Sequence, residues 1–280
     1  MTNGANWNTD CETIIIGVSG YKQSGKTSLC NYLQVYDKVS DKRPSYYGYD
    51  VARLTQTDDG EVLYKGNVCF NLVGSAAEVK IYSFADPLKE FCVNVLGLLP
   101  EQCHGSDAQK NSFTKYKWDN LSLEWREKFS KEKRQSQTYS INGREVESRS
   151  LIVPKSGFMT GREILQIFGT NVCRNMFCDT IWVDATMAKI RRDKPRIALI
   201  ADVRFKSEVE SIMKYENGYV IRLLKRIDAS DRHPSETELD NYDWNALGNR
   251  VKVIDNRDLS IMQKNEIAVE FFDKIKESKL

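Results

Sequence analysis

Residues 13–32 read TIIIGVSGYKQSGKTSLCNY, and their reading decides the fold. The β-branched run Ile14-Ile15-Ile16 signals a buried strand, and it ends in a glycine-rich turn that opens into an amphipathic pattern. Within the turn, residues 20–27 spell G-x-x-x-x-G-K-T, the phosphate-binding loop signature. Gly20 and Gly25 permit backbone angles and close approaches that a side chain would block. The N–H groups of Tyr21, Lys22, Gln23 and Ser24 can then converge on a phosphate as an anion nest. A helix beginning near Lys26 and running on through Ser28 aims its positive end at the same anion. Lys26 would reach the β- and γ-phosphates of ATP, and the Thr27 hydroxyl would bind Mg²⁺. A ligandless glycine turn would not require the strand before and the helix after, and both are here.

The chain has 280 residues, of which 41% are hydrophobic and 10% aromatic, enough to bury a proper core. It reads as one phosphate-loop domain with insertions at about 51–73 and 104–157. The net charge of +2 asks for no polyanionic partner, so nucleic acid is not expected. No apolar run approaches the ~20 residues of a membrane span. The opening MTNGANWNTDCE lacks the basic-then-apolar order of a secretion signal, and a cytoplasmic protein is expected. Seven cysteines are scattered without a C-x-x-C pair, and His104 and His233 are the only histidines. Free thiols are the plain reading, and a zinc site is not expected.

Further along, residues 51–70 read as a hairpin turning at Asp58-Asp59-Gly60, an insertion before the next core strand at 78–84 (EVKIYSF). That strand runs into Asp86 and Pro87, a favoured helix start. Residues 104–157 are polar and weakly patterned, with a second hairpin signal at Asn142-Gly143. The basic run around Lys128, Lys131, Lys133 and Arg134 is interleaved with Glu127 and Glu132 and reads as a solvated face.

Residues 160–177 predict a helix with Ile164, Leu165, Ile167, Phe168, Val172 and Met176 inward. Arg162, Gln166, Thr170 and Arg174 recur every four residues as a drifting polar stripe with Gly169 inside it. Two arginines, an amide and a glycine gap suit a planar, anionic, hydrogen-bonding ligand; an ordinary wet face is the alternative. A second helix follows at 180–192. The buried run RIALIAD at 196–202 ends in Asp202, the pattern of a Mg²⁺-associated aspartate in phosphate-loop enzymes, with Arg204 two residues on. A helix at 205–215, strands at 219–224 and 251–254, and a closing helix at 261–275 complete the pattern. Residues 225–245 form a long loop containing Arg226, Arg232 and His233, and long loops in compact domains are commonly functional. Strands separated by helices imply an α/β fold with a five-stranded parallel sheet, flanking helices and β-hairpin insertions. Gly20, Asp86 and Asp202 all fall where the carboxyl ends of the strands should be.

These residues resemble the deoxynucleoside monophosphate kinases of tailed bacteriophages. The resemblance rests on GVSGYKQSGKTS (17–28), FADPLKE (84–90), REILQIFGTNVCRNMFCDTIWV (162–183), IADVRFKSEVESI (200–212), VIRLLKR (220–226) and DRHPSE (231–236), roughly a third of the chain. It implies transfer of the γ-phosphoryl of ATP to a deoxynucleotide, with Mg²⁺ held through Thr27 and Asp202. Lys26, Asp202, Arg204 and Arg226 would carry the transfer, Arg222 being a further candidate for charge neutralisation. On the acceptor side it implies Asp86, Lys89, Arg162, Gln166, Thr170, Arg174, His233 and Glu236. Arg162 and Arg174 would take the acceptor phosphate and Gln166 the base edge. His233 and Glu236 either close over substrate or cap a helix start at Ser235. The two insertions depart from the family pattern, in places where acceptor-binding elements are expected.

No Asn-Lys-x-Asp stretch is present to read a guanine base as a GTP switch would. Two alternatives stay open: a hydroxyl acceptor (a nucleoside or a hydroxymethylated base in DNA), with Asp86 as base, and a nucleotide-binding protein without transfer. The partners expected are a small-molecule nucleotide and, as an option, a second copy of the chain.

Overall fold

The computed structural model describes residues 12–21, 23–40, 54–64, 67–68, 79–130, 139–141, 144–146, 152–225 and 238–279. The chain divides into two compact units, one made of residues 1–87 and 180–280 and the other of residues 88–179.

In the first unit β1 (Ile14–Gly20) is buried throughout and leads through the glycine loop into α1 (Lys26–Ser40). Next come the short strands β2 (Leu54–Gln56), β3 (Val62–Tyr64) and β4 (Asn67–Val68), an antiparallel meander. β5 (Val79–Tyr82) precedes α2 (Asp86–Asn94), which opens on Asp86 and Pro87 as the sequence implies and carries the chain into the second unit. There α3 (Pro100–His104), α4 (Asp107–Lys110), β6 (Phe113–Lys117), α5 (Leu123–Lys128), the hairpin strands β7 (Tyr139–Ile141) and β8 (Arg144–Val146), and β9 (Phe158–Thr160) fill the stretch that is least legible in the sequence. The turn of that second hairpin, residues 142–143, lies outside the described residues. α6 (Gly161–Gln166) continues directly into a π-helix (Ile167–Phe177). The chain then returns to the first unit with α7 (Ile181–Asp193), β10 (Ile197–Val203), α8 (Lys206–Met213), β11 (Gly218–Leu224), β12 (Val251–Asp255) and α9 (Ile261–Lys279).

The five long strands make one sheet in the order β12-β11-β1-β10-β5, every pair parallel. Counted along the chain among these five, that order is 5-4-1-3-2, so the glycine-loop strand and the strand ending at Asp202 are neighbours. Parallel pairing needs crossovers, and the helices that supply them cover both faces. On one face Ile14, Ile16, Val18, Leu199 and Ile221 meet Leu29 and Leu33 of α1 and Phe272 of α9. On the other Ile15, Ala198, Ile200 and Val220 meet Val183 and Met187 of α7 and Val209 and Ile212 of α8. Gly17 lets α8 come close, because a Cβ there would meet Ile212 Cδ1 at 2.5 Å. Each fully buried aliphatic side chain contributes about 1.5–3 kcal/mol.

The hairpin expected within residues 51–70 forms at 54–64. Leu54 and Val62 join the core with α1 and α9, and a Cβ at Gly60 would meet Ser28 Oγ at 2.4 Å. Gln56 Nε2 donates to the carbonyls of Ser28 (2.7 Å) and Gly60 (3.0 Å), and Asn265 Nδ2 of α9 donates to Gln56 Oε1 (2.9 Å). The hairpin is latched to the start of α1.

The second unit has its own core, in which Cys92, Cys103, Trp118, Met159, Ile164 and Ile167 are buried. β6 pairs with β9 across some 45 residues of chain, since Phe113 faces Thr160. Such a pairing leaves no local turn signal. α6 is capped by Thr160 and Glu163, each side chain bonding the other's backbone N–H (3.2 and 2.9 Å). Met176, expected inward, is 72% exposed. A π-helix carries more residues per turn than an α-helix, so the inner stripe computed for an α-helix fails in its last turns.

Candidate nucleotide site

Lys26 opens α1 and is only 8% exposed. Its Nζ donates to the carbonyls of Gly20 (2.7 Å) and Tyr21 (2.8 Å) and lies 3.5 Å from Asp202 Oδ1. The loop thus folds around its own lysine, as a nest must if its N–H groups are to face outward. Gln23 holds a left-handed conformation at φ 59°, and Gly25 does so at φ 83°. A Cβ at Gly20 would strike the Leu223 carbonyl at 2.9 Å, which explains the first glycine. Ser24 is buried, and its Oγ has no hydrogen-bond partner among the described residues. Thr27 is exposed at the helix start, and Ser28 is half-buried beneath the Gly60 turn. Lys22 lies outside the described residues.

Asp202 reaches this loop because β10 carries a bulge. The register runs Gly17 against Ile200 and then Ser19 against Val203, so β10 has one residue more than β1 over that step. Ile197, Leu199 and Ala201 face one side and Ala198 and Ile200 the other, yet Val203 joins the second group. The break in alternation falls at Asp202, a common device for re-aiming a side chain beside a site. Arg204 Nε donates to Asp202 Oδ2 at 2.8 Å, so the carboxylate stands between two cations. Glu208 Oε2 accepts from the backbone N–H of Arg204 (2.7 Å) and Phe205 (3.1 Å), fixing the turn after β10. Below the loop, burial, with Asp202 as a second cause, pushes the Cys30 thiol up to about 12, so this cysteine is inert packing.

Arg222 departs from its expected role of neutralising charge on a transferred group. It is 3% exposed, donates from Nη1 to Ser19 Oγ (3.0 Å), and sits 3.5 Å from Asp240 Oδ1. Its guanidinium also stacks on the rings of Tyr21 (5.2 Å) and Trp244 (5.6 Å). The Tyr21 hydroxyl donates to the same Asp240 carboxylate. This cluster braces the loop from behind, and the sequence gives no sign of it because Asp240 and Trp244 belong to a segment without periodicity. Arg226, His233 and Glu236 lie outside the described residues.

Asp86 stands at the carboxyl end of β5, its Oδ2 accepting from Ser83 N–H at 2.9 Å, and Lys89 lies half-buried one turn on. In the second unit Arg162, Gln166 and Thr170 are exposed and Arg174 is half-buried. Arg162 Nη2 pairs with Asp107 Oδ1 at 2.6 Å, and Arg174 Nε donates to the Asp179 carbonyl at 3.2 Å. The glycine gap in the stripe is not open. Gly169 is buried, and a Cβ there would meet Leu88 Cδ2 at 2.5 Å.

The donor set fits a magnesium–nucleotide complex. Thr27 offers an exposed hydroxyl, and Asp202 Oδ1 has no hydrogen-bond partner among the described residues. Mg²⁺ is held by one or two such oxygens together with water and phosphate. Among the described residues no group of three or more acidic, histidine or cysteine side chains could hold a metal by itself. No helix among them is long and apolar enough to cross a membrane.

A glycine loop on the central strand, a lysine at the following helix start and an aspartate from the adjacent strand define a P-loop protein with a kinase-type core. No protein-family model matches the chain. Among curated proteins it is 26% identical over 216 residues to the deoxynucleoside-5'-monophosphate kinase of Escherichia phage T5, covering 68% of this chain and 84% of that one. The chain is a distant relative of that phage kinase.

Proposed function

We propose that this protein transfers the γ-phosphoryl group of ATP to a deoxynucleoside monophosphate, giving the diphosphate. The observation that carries the reading is the meeting of Lys26, at the helix start after the glycine loop of β1, with Asp202 of the adjacent strand β10. The phage relative's activity supports the acceptor class.

The backbone N–H groups of residues 20–28 would cradle the β-phosphate, and Lys26 would turn from the Gly20 and Tyr21 carbonyls to the β- and γ-phosphates. Thr27 and Asp202 would hold Mg²⁺, which when bound neutralises charge between the β- and γ-oxygens. Arg204, whose Nε donates to Asp202, would follow the transferred group. Arg226 would be a further cation in this role. Arg162, Gln166, Thr170 and Arg174, with Asp86 and Lys89, would receive the acceptor nucleotide, and His233 and Glu236 would border it. The acceptor phosphate is ionised at neutral pH, so the transfer needs positioning and charge neutralisation and no general base.

The test is a panel of acceptors with ATP and Mg²⁺, read as ADP formation. Deoxynucleoside monophosphates should each be tried beside thymidine, a hydroxymethylated-base DNA and no acceptor. ADP formed only with monophosphates supports the proposal. ADP formed only with a hydroxyl acceptor replaces it with the other kinase reading, and nucleotide binding without ADP removes catalysis altogether.

A further inference from the structure

Lys264, in the first turns of α9, is only 4% exposed, and burial holds its ammonium below the usual lysine range. Among the described residues its Nζ has no carboxylate within ion-pair distance and makes no hydrogen bond. The neighbouring helix start adds a positive dipole end, which disfavours a cation there. A buried, unpaired lysine is destabilising by itself, so its position asks for an anion that arrives from outside the fold.

The position of Nζ says which anion. A Cβ added to Gly25 would meet Lys264 Nζ at 3.0 Å, so the ammonium stands against the second glycine of the phosphate loop. The residue before Gly25 and its partner Asn256 show further unused polarity. Ser24 Oγ is buried without a partner, and Asn256 donates from Nδ2 to the Ser24 carbonyl (3.2 Å) while its buried Oδ1 has none. Next to Lys264, Asn265 is fully buried and bonded to Gln56, which fixes this turn of α9 to the hairpin and the start of α1. The helix turn that carries Lys264 is thereby fixed beside the loop.

We propose that Lys264 is a second cation of the phosphate site, contacting the phosphate chain of the nucleotide bound over Gly25. This rests on the nucleotide-binding reading above and adds to it a residue some 240 positions from the loop. The ligand class is a nucleoside di- or triphosphate, recognised here by its phosphates and not by its base.

The experiment compares wild type with Lys264→Met and Lys264→Gln, which keep the length of the stem and remove the charge. Calorimetric affinities for ATP, ADP and inorganic tripolyphosphate, each with Mg²⁺, are read beside the melting temperature without ligand. The expected result is a loss of about tenfold or more in affinity for all three ligands, about 1.4 kcal/mol. The ligand-free melting temperature should hold or rise, since a buried charge is gone. Unchanged affinities in a wild type that binds ATP would overturn this inference alone. Failure of both variants to fold would also overturn it, by making Lys264 structural. A wild type that binds none of the three ligands would overturn the nucleotide reading and this inference together.

Discussion

Lys26 Nζ, at the start of α1, stands 3.5 Å from Asp202 Oδ1 on β10, the strand whose register against β1 is broken by one extra residue. The relationship joins a motif that is local in sequence to a carboxylate 176 positions away, and it is the bulge that brings them together. Without the extra residue, Asp202 would follow Ala198 and Ile200 toward the α7 and α8 face.

Lys26→Ala should lower turnover by hundreds-fold or more, the usual cost of removing a preorganised electrostatic donor. The fold should survive, because the side chain's hydrogen bonds to loop carbonyls and its ion pair with Asp202 lie at the loop and not in the apolar core. Steady-state ADP formation and circular dichroism check the two halves. Near-normal turnover would take the glycine loop out of the reaction.

Asp202→Asn should act on the metal. The isosteric amide keeps a partner for Arg204 but offers a neutral oxygen to Mg²⁺. The Mg²⁺ concentration for half-maximal activity should rise about 10–100-fold, the usual scale for groups that hold or orient a metal ligand. An unshifted Mg²⁺ titration, with only turnover reduced, would place Asp202 in charge balance with Lys26 and Arg204.

The brace behind the loop predicts stability effects instead. Tyr21→Phe removes one hydrogen bond to Asp240 and should cost about 1 kcal/mol in urea unfolding. Arg222→Met should cost about 1–3 kcal/mol, kept low because Asp240 is 34% exposed and can be resolvated. A larger effect of either change on kcat than on unfolding would turn the brace into part of the site.

In the second unit the pH dependence follows from Glu163. Burial alone would raise its pKa, but hydrogen bonds from Lys155, the Thr160 N–H and Trp118 outweigh it, and the carboxyl sits below its ordinary value. A depressed carboxyl contributes stability above its unfolded pKa and loses it as pH falls through the folded one. The stability gap between wild type and Glu163→Gln should therefore be full at pH 6 and shrink below about pH 4.5. A gap that stays constant to pH 3 would contradict the ion-paired account.

The core of the fold was legible because its signals are local. Ile14-Ile15-Ile16 and Arg196–Asp202 are short apolar runs bounded by a glycine loop and a carboxylate, and each became a central strand. The order 5-4-1-3-2 was not legible, because right-handed crossovers fix the hand of each connection and leave several strand orders open. Three features were hidden for physical reasons. The pairing of β6 with β9 is long-range, and the segment around Asp240 and Trp244 has no helical or strand period. The π-helix changes the number of residues per turn without changing composition, and so it turned Met176 outward. Of the site, the glycine loop and Asp202 could be read directly. Lys264 could not, since a lysine in an amphipathic helix looks like any solvated residue until its burial is seen.

Asp86 decides between the two kinase readings. It closes the turn after β5, with Oδ2 accepting from Ser83 N–H, and so lies at the carboxyl edge of the sheet. β5 is two strands from β1, about 10 Å across the sheet at the usual spacing. From there a carboxylate can reach a group next to the transferred phosphoryl without touching the glycine loop. If the acceptor is a nucleotide phosphate, the attacking oxygen is already ionised and Asp86 has no proton to remove. Its loss should then be mild on turnover and appear mainly in KM, through the turn it holds. If the acceptor is a hydroxyl, Asp86 is the base, and Asp86→Asn should cost roughly 10²–10⁴ in kcat. The first outcome is the one that the acceptor class proposed above requires. Kinetics of wild type and Asp86→Asn on dTMP, dGMP and thymidine separate the cases. Transfer by wild type to thymidine alone, abolished in the variant, would overturn the nucleotide kinase assignment.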